Sequence, residues 1–238
     1  MLPVRRVTVR RSADPWLWAN LAVKAALVGL LLFAVVRDDL PRFQGKAMAG
    51  RALTYPIAAL VVPMAWWIAA RRRRAGRPHL EGYPHAADVL LVLPFLIDVG
   101  GNALDLYDSV GWWDDLNHLV NWAILSAAFG QLLVQRALAA WTVAGLVAGF
   151  GAITAILWEI AEYVTFIRDS PEIATAYTDT LGDLSLGLTG SVAAAALTAW
   201  LSRRARRGPG PVVRPIGGDA SSGMPTGVMS TTSQETFP

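Results

Sequence analysis

A succession of apolar blocks, each near the length of a bilayer crossing, most constrains what this chain can fold into. The blocks fall at about 16–36, 52–70, 86–104, 116–135, 138–167 and 180–201. A helix needs roughly 20 apolar residues to cross a hydrocarbon core, whereas a barrel strand needs only about 10. Backbone groups in lipid must be satisfied internally, and blocks of this length do so as helices. The expected fold is therefore all-α, a polytopic membrane bundle of about six transmembrane helices. The third block is the least regular, because Asp88 and Asp98 interrupt it. Composition agrees: 16% of residues are charged, against about 25% in soluble domains.

The basic residues set an orientation. "RRVTVRR", "RRRRAGR", Arg136 and "RRARR" fall on one side if the blocks alternate. The other side has Arg37, Arg42, Lys46, Arg51 and Arg168, a smaller and sparser set. The positive-inside rule then places both termini in the cytoplasm. The first outer loop, "RDDLPRFQGKAMAGR", is a mild exception. Positive charge placed between apolar blocks is topogenic, so no nucleic-acid partner is expected. The domains expected are a basic N-terminus (1–15), a transmembrane domain (16–201), and a basic then disordered tail (202–238), the last rich in Gly, Pro, Ser and Thr. Tryptophans 16, 18, 66, 67, 112, 113, 141 and 200 lie near block ends, as interfacial anchors do. "GLVAG" at 145–149 and "GLTGS" at 187–191 are small-residue segments suited to close helix packing within the chain.

The polar residues inside the blocks are more informative. The fourth block opens with "GWWDDLNHLVNW", carrying Asp114, Asp115, His118 and Asn121. The fifth ends in "WEIAEY", with Glu159 and Glu162 on one helical face. The sixth opens with "TDTLGD", with Asp179 and Asp183 four apart. The third carries Asp98, Asn102 and Asp105 near its end. At about 1.5 Å per residue, His118, Asp183, Glu159 and Asn102 all fall roughly 9–13 Å from the midplane, toward the outside. Aspartates 114 or 115, and Asp179 or Thr180, also suit a capping role at helix starts. Capping does not account for Glu159 and Glu162, which lie inside a continuous apolar helix. Lys24 is placed to pair with Asp98.

Intramembrane ionisable groups are expensive and mark functional sites by default. With no cysteine, thiolate sites and disulfides are excluded. One histidine among several carboxylates suits a hard or borderline divalent cation, Zn, Mn or Mg. The expected ligands are Asp115, His118, Asp179 and Asp183, with Glu159 and Glu162 as catalytic carboxylates. Asp98, Asn102, Asp114 and Asn121 are expected to support them. His79 and His85, in "GRPHLEGYPH", read as solvated loop histidines.

"YDSVGWWDDLNH", "EIAEY" and "TDTLGDLSLGLTG" together resemble the bacterial inner-membrane family typified by YjdF. A more distant likeness is to VanZ-like membrane proteins, which pair an Asp-x-x-His motif with a later Glu and Asp. The resemblance covers roughly residues 98–190 and places Asp115, His118, Glu159, Glu162, Asp179 and Asp183 on motif positions. It implies the six-span fold in the bacterial cytoplasmic (inner) membrane and no particular reaction. The VanZ likeness hints at envelope or lipid-linked substrates.

These features suggest a metal-dependent enzyme acting on a lipid or lipid-linked substrate. The alternatives are a proton or divalent-cation binding or transport protein, for which an oligomer could complete a path, and a non-enzymatic envelope scaffold. A one-sided cluster favours a pocket over a channel.

Overall fold

The computed structural model describes residues 14–72, 82–134 and 136–207. Most of the basic segment expected at 1–15, the loop holding His79 and the tail beyond 207 lie outside these. The chain is a bundle of α1 (Pro15–Val36), α2 (Met48–Ala59), α3 (Val61–Arg72), α4 (His85–Ala103), α5 (Leu106–Ser109), α6 (Trp113–Leu133), α7 (Ala140–Glu162) and α8 (Ala176–Arg206), with no strand among the described residues. Among the described residues, five stretches are long and apolar enough to cross a membrane: 15–36, 48–71, 85–103, 140–165 and 176–206. The long helix α6 is not among them. Its first turns carry Asp114, Asp115, Asn117, His118 and Asn121, so it gains little from lipid and relies on protein neighbours. It has them, packing along α8, α4 and α7.

Local chemistry shapes the ends. Asp14 caps α1, its Oδ1 accepting from the Trp16 N–H at 3.0 Å, with Pro15 in the first turn. Leu60 separates α2 from α3. Pro56 lies four residues upstream of it, and Pro63 has no N–H to give the helix ladder, so the second block is a broken rod. The acidic residues expected to cap α6 and α8 do not: the cap positions are Trp112 and Thr175, neither with a side-chain cap bond. Asp114 and Asp115 sit instead in the first turn of α6, where the helix dipole favours negative charge.

The molecule is apolar outside. Leu53, Ile57, Ile153 and Leu32 are each more than 60% exposed, as lipid-facing side chains should be. Trp16, Trp18, Trp67, Trp112, Trp141 and Trp200 are exposed near helix ends, as expected of anchors. Trp113 turns inward against α4, where a Cβ on Gly101 would meet its Nε1.

Small residues let α6, α7 and α8 approach. A Cβ on Gly190 would strike the Leu119 carbonyl oxygen, one on Gly187 the Trp122 ring, and one on Gly151 the Ser191 and Ser126 hydroxyls. "GLTGS" thus packs within the chain as expected. "GLVAG" does not: Cβ atoms at Gly145 and Gly149 would meet nothing within 4 Å. Gly190→Ala is expected to cost about 1–3 kcal/mol by forcing α8 away from α6. Gly145→Ala should be close to neutral, and thermal unfolding in detergent compares the two.

A second polar cluster joins α1 to the start of α4. Asp88, fully buried, accepts through Oδ2 from Asn20 Nδ2 (2.7 Å), Lys24 Nζ (2.6 Å) and Tyr83 Oη (2.6 Å). The expected Lys24–Asp98 pair is therefore not formed. Asp98 is taken by Arg51, and Asp88 lies nearer the end of the bundle from which α1 sets out. His85 is no solvated loop residue either. It opens α4, is buried, and packs against Tyr83 with ring centroids 4.7 Å apart and the planes tilted by 56°.

Candidate metal centre and cavity

The start of α6, the end of α7 and the start of α8 meet at one end of the bundle. There His118, Glu159 and Asp183 are each buried to about 5–6% exposure. His118 faces acids on both sides of its ring. Nε2 is 3.7 Å from Asp183 Oδ1 and 3.8 Å from Asp114 Oδ1, and Nδ1 is 3.6 Å from Glu159 Oε1. These separations exceed hydrogen-bond length. Buried His118 Nδ1 and Glu159 Oε1 have no hydrogen-bond partner, which in a native interior calls for an explanation.

The spacing is one that a shared cation would fit. Two ligand atoms each about 2.0–2.2 Å from one ion stand roughly 3–3.6 Å apart. Two overlapping sets have the donor types for this: Asp114, His118 and Asp183, and His118, Glu159 and Glu162, the atoms of each lying within 4.8 Å of one another. With Nε2 toward Asp114 and Asp183, the opposite nitrogen faces Glu159. That is the arrangement in which a carboxylate fixes the orientation of a metal-binding imidazole.

The structure redistributes the expected ligands. His118 and Asp183 come together, joined by Asp114 rather than Asp115. Asp115 and Asp179 are exposed and fall in neither set. One residue along a helix is a turn of about 100°, and Asp114, four before His118, shares its face. Asn117 and Asn121 form a ladder along α6: Asn117 Nδ2 donates to the Trp113 carbonyl (2.8 Å) and Asn121 Nδ2 to Asn117 Oδ1 (3.0 Å). Asn102 Nδ2 donates to the Asp98 carbonyl within α4.

Beside this cluster lies a cavity of about 360 Å³. Asp114, His118 and Glu162 line it, whereas Glu159 and Asp183 do not. Across from them stands Asp98, expected as a supporting residue, with partners not expected from the sequence. Asp98 accepts from Arg51 Nε (2.8 Å) and Tyr55 Oη (2.5 Å) on one oxygen, and from Tyr107 Oη (3.0 Å) on the other. Burial, and then the Asp98 carboxylate, push the Tyr107 phenol well above its ordinary pKa, so it remains a donor. The signal that could have found Arg51 was its place at the head of an apolar block on the arginine-poor side. Away from the polar end, the lining is Pro94, Phe95, Leu125, Phe150, Leu157 and Trp158. Just past Glu162 the helix widens into a π turn, Tyr163–Ile167, a feature frequent at functional sites.

Residues 26–204 match the model of a family described as "Predicted membrane protein (DUF2238)". The chain belongs to this family. The DUF2238 match runs from within α1 to near the end of α8 and includes every residue of the cluster and the cavity lining. It is the YjdF-like resemblance that is met, and the VanZ likeness finds no support. No curated protein and no solved structure matches the chain.

Proposed function

We propose that this DUF2238 protein is a multi-pass enzyme of the bacterial cytoplasmic membrane. It would use a divalent cation to act on a lipid or lipid-linked substrate at the extracytoplasmic side. The observation that carries this reading is His118 Nε2 standing 3.7–3.8 Å from carboxylate oxygens of Asp183 and Asp114, too far for a hydrogen bond and close enough to share a cation, beside a cavity that is polar at one end and largely apolar at the other. The arginine distribution supports the orientation: Arg71, Arg72, Arg203, Arg204 and Arg206 gather at the end away from the cluster.

In this reading His118, Asp114 and Asp183 hold the cation, which would polarise a substrate oxygen or activate water. Glu159 orients the imidazole. Glu162 lines the cavity and is the carboxylate placed to take a proton from an attacking water. A conductive role is less well supported. Between Asp98 and Asp88, α4 presents Val92 to an apolar core with Leu27 and Leu31, with Phe95 packed against it, and offers no polar relay.

Elemental mass spectrometry of the purified protein tests the metal. Near-stoichiometric Zn, Mn or Mg is expected in the wild type. It should be lost in His118→Ala and in the Asp114→Asn/Asp183→Asn pair while both remain monodisperse. Absence of metal after reconstitution with all three ions would overturn the proposal.

A further inference from the structure

We infer, building on the metal-site reading, that the substrate is a phosphate-headed membrane lipid that reaches the site sideways from within the bilayer. Its chain would lie in the apolar end of the cavity. α4 and α7 pack on α6 from two sides, and the cavity is lined from all three, with Phe95 on α4, Leu125 on α6 and Phe150 on α7. Leu157 lines the cavity and is nonetheless 59% exposed. It marks where the cavity opens, about five residues and ~7.5 Å before Glu162 along the helix, inside the stretch 140–165 that is apolar enough to cross a membrane. An opening at that depth, among exposed apolar side chains, faces hydrocarbon and not water.

Polarity runs the same way inside. The end near the start of α6 presents His118 and Glu162 with Arg51 opposite, and the deeper end is aliphatic and aromatic apart from Thr154, whose hydroxyl donates back to the Phe150 carbonyl at 2.7 Å. A lipid entering at Leu157 would keep its chain in largely apolar surroundings. Its headgroup would meet a hard cation, suited to phosphate oxygens, with the Arg51–Asp98 pair on the facing wall. A water-soluble phosphate ester would forgo the apolar half of these contacts.

The test uses the full chain in lipid nanodiscs containing phosphatidic acid with a photoactivatable diazirine in its acyl chain. Cross-links are mapped by mass spectrometry, and bound metal is measured on the same sample. Labelling is expected on Phe95, Phe150 and Leu157. Leu157→Trp should cut labelling at Phe95 and Phe150 by about tenfold by blocking the opening, and Ala161→Leu should act in the same direction. Ile153→Trp changes an exposed residue outside the cavity lining and should leave labelling unchanged. Glycerol 3-phosphate in excess should not compete. Metal bound with labelling confined to outward-facing residues, undiminished labelling in both blocking variants, or displacement by glycerol 3-phosphate would each overturn this inference. Failure of the metal reading looks different: cavity labelling persists and no metal is found.

Discussion

Asp183→Asn and Asp114→Asn are expected to weaken divalent-metal binding by more than a hundredfold each, and Glu159→Gln by about 10–100-fold, as loss of an outer carboxylate partner does. Asp115→Asn and Asp179→Asn should leave binding nearly unchanged. Competition against a chromophoric chelator measures all five. The contrast is sharp because the two members of each pair lie close together in sequence. Asp114, though half exposed, and Asp183 have an oxygen within 4 Å of His118 Nε2, whereas Asp115 and Asp179 fall in neither donor set. Equal losses at Asp114 and Asp115 would mean that the cluster acts only as a diffuse negative field.

The largest effect on stability should come from Arg51→Met. Arg51 and Asp98 side chains are only 12% and 10% exposed, and removing one partner of a buried pair costs about 3–5 kcal/mol because the other charge is stranded. The double variant Arg51→Met/Asp98→Leu should recover much of that loss, since no uncompensated charge remains. Unfolding by denaturing detergent, followed by tryptophan fluorescence, reads both. Lys24→Met should cost less: Lys24 is 26% exposed, and Asp88 keeps Asn20 and Tyr83.

Helix existence and the gathering of His118, Glu159 and Asp183 at one level were legible because both follow from counting residues along a helix of known rise. Rotation was not. Choosing Asp114 over Asp115 needs the direction in which α6 faces, and that is fixed by Trp113 against Gly101 and by Gly190 against Leu119. These are long-range contacts with no local signature. Partner choice failed for a related reason. Lys24 has two aspartates of α4 within plausible depth, and only the claim of Arg51, Tyr55 and Tyr107 on Asp98 leaves it to Asp88. A polar pocket was expected from the one-sided cluster, but its apolar end was invisible, since it is made by what α4 and α7 leave unfilled. The π turn after Glu162 likewise has no mark in "EYVTFI".

The few cations of the cluster end have one more consequence. Lys46 is paired with Asp108 at 2.9 Å, Arg51 with Asp98, Arg37 with Asp39 and Arg168 with Asp169. In the orientation proposed, these side chains are carried across the membrane during synthesis. Arg37 and Arg168 travel with partners beside them in the chain. Lys46 and Arg51 travel before their acidic partners, residues 108 and 98, have been made. The first hairpin is thus threaded against the charge rule and secured only when α4 arrives. A nascent chain ending before residue 98 should insert with mixed topology, and one that includes α4 and α5 with a single topology.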